Sequence, residues 1–249
     1  MAADLERRFG GIARLYGAPG ARKIQGSHVC VVGIGGVGSW AAEALARSAV
    51  GALTLIDLDM VAESNTNRQI HALGDCFGQA KVDAMAERIL AINPSCRVTR
   101  IEAFIDQDNA ATLLQGRFDA VIDAIDQVKA KAAMIAHCLG TGTPIVVAGA
   151  AGGEPDPSKI MVGDLAQTTQ DPLLARVRSL LRREYGFPRD TKKKFRVPAV
   201  YSTEQLRYPE AACASPSGLS CAGFGSSVCV TSVFGMVAAA HVLNNLAKE

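Results

Sequence analysis

The stretch CVVGIGGVGSW, residues 30–40, decides the fold of this chain. Its β-forming start runs into a loop that contains Gly33, Gly35, Gly36 and Gly38, and a helical pattern follows. A G-x-G-x-x-G loop between a strand and a helix lets the chain turn sharply. It also lets a phosphate approach the backbone N–H groups at the start of the helix. The loop therefore predicts nucleotide binding, with NAD, FAD and ATP as alternatives.

Around this loop, the first 150 residues alternate between short β-rich runs and helical patterns. Strands are predicted at 29–32, 53–57, 97–103, 120–125 and 144–149, and helices at 37–48, 81–92 and 128–139. This alternation is typical of βαβ units. We therefore predict an α/β fold, with a Rossmann-like doubly wound, mostly parallel sheet and helices on both faces. Ligands of such sheets bind at the carboxyl ends of the strands.

Beyond Gly153 the regular alternation fades, and the sequence shows neither a repeat nor a clean linker. We predict a single domain over 1–249, with a nucleotide-binding core at about 8–153. A long basic insertion that faces the substrate is expected at about 154–222, before an apolar C-terminal helix at about 224–247.

Within that insertion, 172–185 predicts a basic helix and 189–206 a long exposed connection. The final stretch 223–246 has no Asp, Glu, Lys or Arg and is long enough to span a bilayer. Its Ser, Thr, His and Asn residues favour a buried helix over a membrane span. The start, MAADLERRFGG, has no apolar signal segment, so we expect a cytoplasmic protein that needs no membrane.

The seven cysteines form no C-x-x-C pair, so we expect no zinc site of the four-cysteine kind. Cys30 and Cys138 lie in apolar patterns and are predicted to be core residues. Cys221 comes just before a glycine-led helix, a position that can lower the pKa of a thiol. His71 is either a contact near the substrate or the cap of a turn.

Charged residues follow the predicted strands at the edge of the sheet where a ligand would bind. Asp57 ends the second strand, 24 residues after Gly33, where an acidic residue binds ribose hydroxyls. Asp59 follows it by two residues. Asp126 lies at or just beyond the end of the fourth strand, where a carboxylate can hold Mg²⁺.

Asn65, Arg68 and Lys81 favour ATP over the dinucleotides. A hydride-transfer enzyme needs at most one cation near its second strand, whereas Arg and Lys can balance the charge that develops on pyrophosphate. Together with Asp57 and Asp126 these residues describe a Mg·ATP site. We expect Arg68, Lys81 and Asp126 to be catalytic. The alternative is that Arg68 and Lys81 are solvated surface charges.

Four motifs resemble the ubiquitin-activating-type (ThiF/MoeB-like) adenylyltransferases over roughly 8–153. They are GIGGVGS at 33–39, LTLIDLDMVAESNTNRQ at 53–69, QAK at 79–81 and DAID at 123–126. The resemblance implies a homodimer, and it implies that Mg·ATP is bound by Gly35, Asp57, Asn65, Arg68, Lys81 and Asp126. The predicted ATP site is completed by Gly33, Gly36, Gly38 and Asp59.

Two departures narrow this resemblance. The chain lacks the two zinc-binding C-x-x-C pairs that are usual in the activators of sulfur carriers, and it has Gly where many of them have a second N-terminal Arg. Stretches that span nearly the whole chain resemble the tRNA threonylcarbamoyladenosine dehydratases instead. These stretches are RFGGIARLYG, NTNRQIHAL, GAAGGEPDPSKI, DLAQTTQDPLLARVR, FRVPAVYSTEQLRYP and SCAGFGSSVCVTSVFG.

This second resemblance implies ATP-dependent dehydration of N6-threonylcarbamoyladenosine at tRNA position 37 to the cyclic form. ATP would activate the threonyl carboxylate, and intramolecular ring closure would follow. The resemblance also makes Cys221 a candidate sulfur acceptor from a cysteine-desulfurase system. Two other functions stay open. They are adenylation of the C-terminal carboxylate of a small sulfur-carrier or ubiquitin-like protein, and an interaction module in a sulfur relay.

A basic segment supports an RNA substrate. Residues 176–196 contain nine Lys or Arg against Glu184 and Asp190, in a chain whose net charge is +2. Such a segment would contact phosphates, although a solvated loop is the alternative. The candidate tRNA contacts are Arg182, Arg183, Lys192, Lys193, Lys194 and Arg196. The aromatic residues that would either stack on an unpaired base or pack in the core are Tyr185, Phe187, Phe195 and Tyr201.

Overall fold

The structure is a computed structural model that describes residues 4–208 and 224–248. Its strands are β1 (His28–Val32), β2 (Ala52–Ile56), β3 (Arg97–Ile101), β4 (Ala120–Asp123), β5 (Ile145–Ala148), β6 (Ile160–Asp164) and β7 (Pro198–Ser202). Its α-helices are α1 (Leu5–Gly26), α2 (Gly38–Arg47), α3 (Lys81–Ile92), α4 (Ala110–Leu113), α5 (Val128–Thr141), α6 (Pro172–Glu184) and α7 (Val228–Leu246).

The seven strands form one sheet in the order β3-β2-β1-β4-β5-β7-β6. The neighbouring strands are parallel except for β6 and β7, which pair antiparallel. The direction of winding reverses between β1 and β4, and the carboxyl ends of these two strands flank the crevice where such sheets bind ligands. The predicted doubly wound, mostly parallel α/β fold is confirmed.

Helices cover both faces of the sheet. On one face α1, α2, α3 and α7 enclose a core that includes Leu45, Met85 and Phe234. On the other face α4, α5 and α6 enclose a second core that includes Met134 and Leu174. Because both faces are covered, the central strands are buried, nearly continuous apolar runs, which is the pattern of a parallel sheet.

The strands and helices predicted for the first 150 residues are observed, with ends that differ by one or two residues. Two helices, α1 and α4, do not follow from the sequence patterns. In α1 few residues are buried, and a non-helical residue, Gly17, kinks the helix at φ 72°. Pro19 also lies inside this helix, so Gly17 and Pro19 interrupt the helical pattern in the sequence.

The basic insertion contributes more regular structure than expected. The helix predicted at 172–185 is α6, but the long exposed connection predicted at 189–206 is wrong. That stretch contains β7, which pairs with β5, and Phe195 and Val197 are buried. The stretch was predicted to be exposed because three neighbouring lysines precede β7. The strand itself has only five residues, and that length is enough to extend a sheet. The antiparallel edge strand β6 is a further element that the sequence patterns did not indicate.

The apolar helix predicted at about 224–247 is α7, Val228–Leu246. Within residues 4–208 and 224–248 it is the one helix that is long and apolar enough to cross a membrane. Phe234, Ala238 and Val242 on this helix are buried in the core that α2 also encloses. The helix therefore occupies the position predicted for a core helix.

Gly235→Ala is expected to destabilise the fold. A Cβ at Gly235 would lie 2.4 Å from the carbonyl oxygen of Val37 and 2.8 Å from the backbone nitrogen of Ala41, so α2 and α7 would have to separate. Overpacking of this kind costs about 1–3 kcal/mol in the free energy of unfolding, measured here by urea unfolding.

The matched control for this substitution is Gly140→Ala on the exposed end of α5. A Cβ at Gly140 meets nothing within 4 Å, so the helix should gain about 0.5–1 kcal/mol of stability. An unchanged free energy of unfolding for Gly235→Ala would contradict the close contact between α2 and α7.

Candidate active site

A cavity of about 260 Å³ lies at the carboxyl ends of β1, β2 and β4, in the crevice that the topology defines. It brings together most of the predicted site residues. Those that line it are Gly33, Gly35, Gly36, Asp57, Asp59, Arg68, Lys81 and Asp126. Gly38 and Asn65 do not line it.

The four glycines of the loop have different positions. Gly33 adopts φ 85°, and a Cβ there would lie 2.9 Å from the carbonyl oxygen of Ala124. A Cβ on Gly38 would lie only 1.7 Å from the carbonyl oxygen of Gly33, so the start of α2 can pack this closely against the loop only because residue 38 has no side chain. A Cβ on Gly35 would meet only Gln69 Nε2 at 3.9 Å. Gly35 is thus the position where a ligand can approach the backbone.

Asp57 holds the glycine loop against the end of β2. Its Oδ2 accepts the N–H of Ile34 at 2.6 Å, and its Oδ1 accepts the N–H of Asp59 at 2.8 Å. Each carboxylate oxygen has a further lone pair. Contact with a ribose hydroxyl remains a prediction, and the carboxylate that would make it is fixed in place by two backbone groups.

Lys81 carries a nearly buried positive charge at the start of α3. Its side chain is 7% exposed, and Nζ lies 2.6 Å from Oδ2 of Asp59, whose side chain is 73% exposed. The backbone N–H of Lys81 also donates to the carbonyl of Asp59. A buried ammonium needs anionic partners, and its three N–H groups can donate to more than one of them. Asp59 occupies one N–H group of Lys81, so a second anion can bind there. The geometry excludes the alternative that Lys81 is a solvated surface charge.

Arg68 reaches the same cavity from the loop after β2. Its guanidinium donates to the carbonyl of Ser64 at 2.7 Å and to Oδ1 of Asn67 at 2.8 Å, which sets its direction. Its own carbonyl accepts from Nε1 of Trp40 at 2.9 Å. Arg68 is only partly exposed, and its remaining N–H donors can bind an anion.

Asn65 is buried and shapes the turn that presents Arg68. Its Oδ1 accepts the N–H of Ala62, and its carbonyl accepts the N–H groups of Arg68 and Gln69. Asn65 does not line the cavity, and its direct contact with a nucleotide stays a prediction.

Asp126 is exposed at the mouth of the cavity, in the turn between β4 and α5. Beneath it, Asp123 and Lys131 form a fully buried ion pair, with Nζ 2.7 Å from Oδ1. Asp123 also accepts the N–H of Ile125, which shapes the turn before Asp126. Among residues 4–208 and 224–248 no group of three His, Cys, Asp or Glu side chains could hold a metal, so Mg²⁺ at Asp126 stays a prediction.

Several residues that line the cavity were not predicted from the sequence. Gln69 is 6% exposed, and its Oε1 is buried without a hydrogen-bond partner in the part of the chain that the structure describes. Thr231 reaches the cavity from α7. The loops 103–105 and 149–151, which follow β3 and β5, complete the wall. Because ligands of such sheets bind at the carboxyl ends of strands, the predicted strands 97–103 and 144–149 already point to these two loops.

His71 is buried but does not line the cavity. Both ring nitrogens lack a hydrogen-bond partner among the described residues, so the ring caps no turn there. Burial lowers the pKa of His71 to about 4, and the nearby charges of Lys81 and Arg88 add to this. The imidazole therefore stays neutral behind Lys81.

Cys30 and Cys138 are buried in the core, as predicted. Burial raises the pKa of Cys138 to about 12, so its thiol stays protonated. Cys221, the candidate sulfur acceptor, lies outside the described residues.

The candidate tRNA contacts lie on α6 and on the loop that follows it. The exposed ones are Arg183, Lys192, Lys193, Lys194 and Arg196. Arg182 is partly buried: its Nε donates to the carbonyl of Pro188, and its guanidinium carbon lies 5.2 Å from the centroid of the Phe195 ring. Arg182 therefore also holds the loop in place.

The aromatic residues of this region pack in the core. Phe195 and Tyr201 are buried, and Tyr185 and Phe187 are partly buried against the same core. The alternative that Phe195 and Tyr201 stack on an RNA base is excluded by their burial.

The fold and the cavity define the class of protein: a Rossmann-like α/β protein with a cavity that holds Arg68 and Lys81 beside a glycine loop. The chain matches the ThiF family over residues 9–249 and belongs to that family. It is 50% identical over 250 residues to the tRNA threonylcarbamoyladenosine dehydratase of Escherichia coli K12, across 96% of this chain and 93% of that protein. These matches confirm the family resemblance seen in the sequence.

A solved structure extends the similarity to three dimensions. The crystal structure of E. coli tRNA N6-threonylcarbamoyladenosine dehydratase, TcdA, in complex with ATP has a TM-score of 0.90 and 49% identity. The match covers 99% of this chain and 96% of that chain. The molybdopterin-synthase adenylyltransferase of E. coli K12 is 35% identical over 135 residues, across 54% of each protein.

Lys131→Met is expected to destabilise the protein by about 3–5 kcal/mol, because it leaves the buried Asp123 carboxylate without its cation. Burial raises the pKa of Asp123, and Lys131 opposes that rise. In the variant the folded-state pKa of Asp123 therefore lies further above its unfolded value. Protonation of Asp123 then stabilises the variant at low pH, and this stability is lost as the pH rises through the raised pKa.

Urea unfolding of Lys131→Met near about pH 5 and about pH 8 measures this effect, and the deficit relative to wild type should grow with pH. The control is the double variant Asp123→Asn with Lys131→Met, whose deficit should not depend on pH. A deficit of equal size at both pH values in the single variant would refute the role given to the ion pair.

Proposed function

We propose that this chain is an ATP-dependent tRNA threonylcarbamoyladenosine dehydratase. It would convert N6-threonylcarbamoyladenosine at tRNA position 37 to the cyclic form. The observation that carries the proposal is the cavity that joins the glycine loop to Arg68 and Lys81, in a chain 50% identical to a dehydratase along nearly its whole length. Arg68 and Lys81 supply the positive charge that a triphosphate needs, and the similarity to the dehydratase indicates that the substrate is a modified tRNA.

The residues of the cavity fit ATP. Gly35 leaves the loop backbone open to a phosphate, and Gln69 offers an unpartnered Oε1 and an amide beside it. Lys81 and Arg68 would neutralise phosphate charge, and Asp57 would bind the ribose. Asp126, exposed at the mouth, would hold Mg²⁺, which supplies charge neutralisation on the phosphates when bound.

The chemistry follows from the poor leaving ability of a carboxylate oxygen. Activation by ATP turns that oxygen into part of AMP or of phosphate, so the acyl carbon becomes open to attack from within the same nucleoside. The ring closes and the activated oxygen leaves, so the substrate loses the elements of water. The chain's part is to neutralise charge through Arg68 and Lys81 and to hold the reactants together.

The exposed basic residues after α6 support an RNA substrate, since Arg183, Lys192, Lys193, Lys194 and Arg196 would contact phosphates. We further propose that the protein is a cytoplasmic homodimer with one nucleotide-binding domain per chain. Cys221 would accept sulfur from a cysteine-desulfurase partner. The alternative function, adenylation of a carrier protein's C-terminal carboxylate, rests on the partial similarity to molybdopterin-synthase adenylyltransferase.

Mass spectrometry tests the proposal directly. After incubation of the protein with Mg·ATP and threonylcarbamoylated tRNA, we expect the modified nucleoside to lose the mass of one water. The control reaction omits ATP. No mass loss, together with ATP–pyrophosphate exchange that depends on a carrier protein, would establish the alternative.

Arg68→Ala and Asp126→Ala are expected to reduce turnover at least about 100-fold while the fold is kept, because Arg68 would neutralise phosphate charge and Asp126 would hold the Mg²⁺ that does the same. The matched control is Arg22→Ala, which removes an exposed cation of α1 that does not line the cavity. Turnover is measured by the same mass assay, and folding by thermal unfolding. Wild-type turnover in either site variant would show that the assignment of the ATP site is wrong.

A further inference from the structure

A second cavity, of about 420 Å³, lies between the start of α6 and the segment that follows β7. The polar residues that line it are Gln170, Asp171, Arg178, Gln205 and Tyr208, and the others are Pro172, Ala175 and Leu206. None of the residues assigned to the ATP site lines this cavity. We refer to it as the α6 cavity.

The α6 cavity shares a wall with the cavity beside the glycine loop, which we refer to as the nucleotide cavity. Asp171 lines the α6 cavity, and its Oδ2 accepts the N–H of Ala150, which lines the nucleotide cavity, at 2.9 Å. Gly149 beside it has no room for a side chain, because a Cβ would lie 1.8 Å from the same Oδ2. One carboxylate and one turn of backbone therefore separate the two cavities.

The lining of the α6 cavity offers a stacking surface and hydrogen bonds. Tyr208 is 73% exposed, and its ring is supported by Phe224, with 5.5 Å between the ring centroids. The guanidinium of Arg178 donates to Oγ1 of Thr168, which holds it in place and leaves other N–H donors for a ligand. The exposed amide of Gln205 both donates and accepts.

This combination matches an unpaired nucleobase. Bases bound by proteins outside a duplex stack on aromatic side chains and form hydrogen bonds through their edges to Arg and Gln. Arg176 and Arg183 are exposed on the same helix and would contact backbone phosphates of an RNA. A free nucleotide offers the same base, and its binding is one outcome of the test.

We propose that the α6 cavity binds the base of a nucleotide that directly neighbours the reacting adenosine in the RNA. This inference rests on the proposed function. Stacking of that base on Tyr208 would hold the RNA so that the threonylcarbamoyl group of the modified adenosine next to it reaches ATP in the nucleotide cavity. Tyr208 is then a positioning residue, because it touches the flanking base and not the reacting group.

The test uses a threonylcarbamoylated anticodon stem-loop, made intact and with an abasic site on either side of the modified adenosine. Binding to the full-length protein is measured by fluorescence anisotropy for wild type, Tyr208→Ala and Tyr208→Phe. One abasic substitution should weaken wild-type binding by about 5- to 100-fold, which is the range for a stacked base. Tyr208→Ala should weaken binding of the intact RNA similarly and bind the intact and abasic RNAs equally. Tyr208→Phe should keep the wild-type preference.

Arg183→Ala provides the control, since loss of a phosphate contact should weaken intact and abasic RNA alike and reduce the salt dependence. An abasic penalty of the same size in Tyr208→Ala and in wild type would overturn the proposal. So would tight binding of a free nucleoside monophosphate that is lost in Tyr208→Ala, without any abasic penalty. If wild type dehydrates the intact stem-loop but shows no abasic penalty, this inference alone fails. If it neither binds nor dehydrates the stem-loop, the proposed function fails with it.

Discussion

The ion pair between Asp123 and Lys131 is the interaction on which the geometry of the site depends. Both side chains are fully buried, and their charged atoms lie 2.7 Å apart. Asp123 ends β4 and accepts the N–H of Ile125, so it sets the turn that leads to Asp126. A second buried carboxylate, Asp171, accepts the N–H of Ala150 after β5 and the N–H of Leu174 in α6.

Two buried carboxylates, Asp123 and Asp171, thus fix two strand ends and a helix start, and Lys131 holds the first of them. A buried ion pair is a poor source of net stability, because desolvation offsets most of its attraction. Its effect here is positional, since a carboxylate that must stay next to a fixed ammonium cannot move the turn that it holds. The cavity keeps its shape through this constraint, while the apolar cores on the two faces of the sheet supply the stability.

Helix α7 imposes a second constraint, on the loop that carries Arg68. The carbonyl of Arg68 accepts from Trp40 of α2 and lies 3.5 Å from Oγ1 of Thr231 of α7. Asn67 donates to the carbonyl of Ser226, just before α7. The missing side chain at Gly36 lets Arg68 and Thr231 approach the glycine loop. The loop that carries Arg68 is therefore held by two regions that are distant in sequence, the glycine loop with α2 and the start of α7.

The sequence patterns predicted the first five strands and the helices between them because each is a local apolar run of characteristic period. They missed β7 because its buried residues follow three lysines, and only the pairing with β5 makes it a strand. The same limit applies to the site. Asp57, Arg68, Lys81 and Asp126 could be placed from motifs at strand ends, since the fold alone brings those ends together.

The contributions of other residues depend on side-chain contacts that the pattern of apolar and polar residues does not show. Asn65 acts through a turn that it closes with its own side chain. Gln69 stands out because its Oε1 is buried without a hydrogen-bond partner among the described residues. Lys131 stands out because it pairs with the buried carboxylate of Asp123 at the end of β4. Thr231 reaches the site only because α7 returns to pack on α2.

The position of α7 along the chain has a consequence for biosynthesis. All seven strands leave the ribosome before Val228–Leu246 does, so a nascent chain can pair its whole sheet while the glycine loop still lacks its cover. Trp40 and the apolar face of α2 stay open to water during that interval. Because Thr231 of this helix lines the nucleotide cavity, the wall of the cavity is complete only after the helix has been made and has docked on α2.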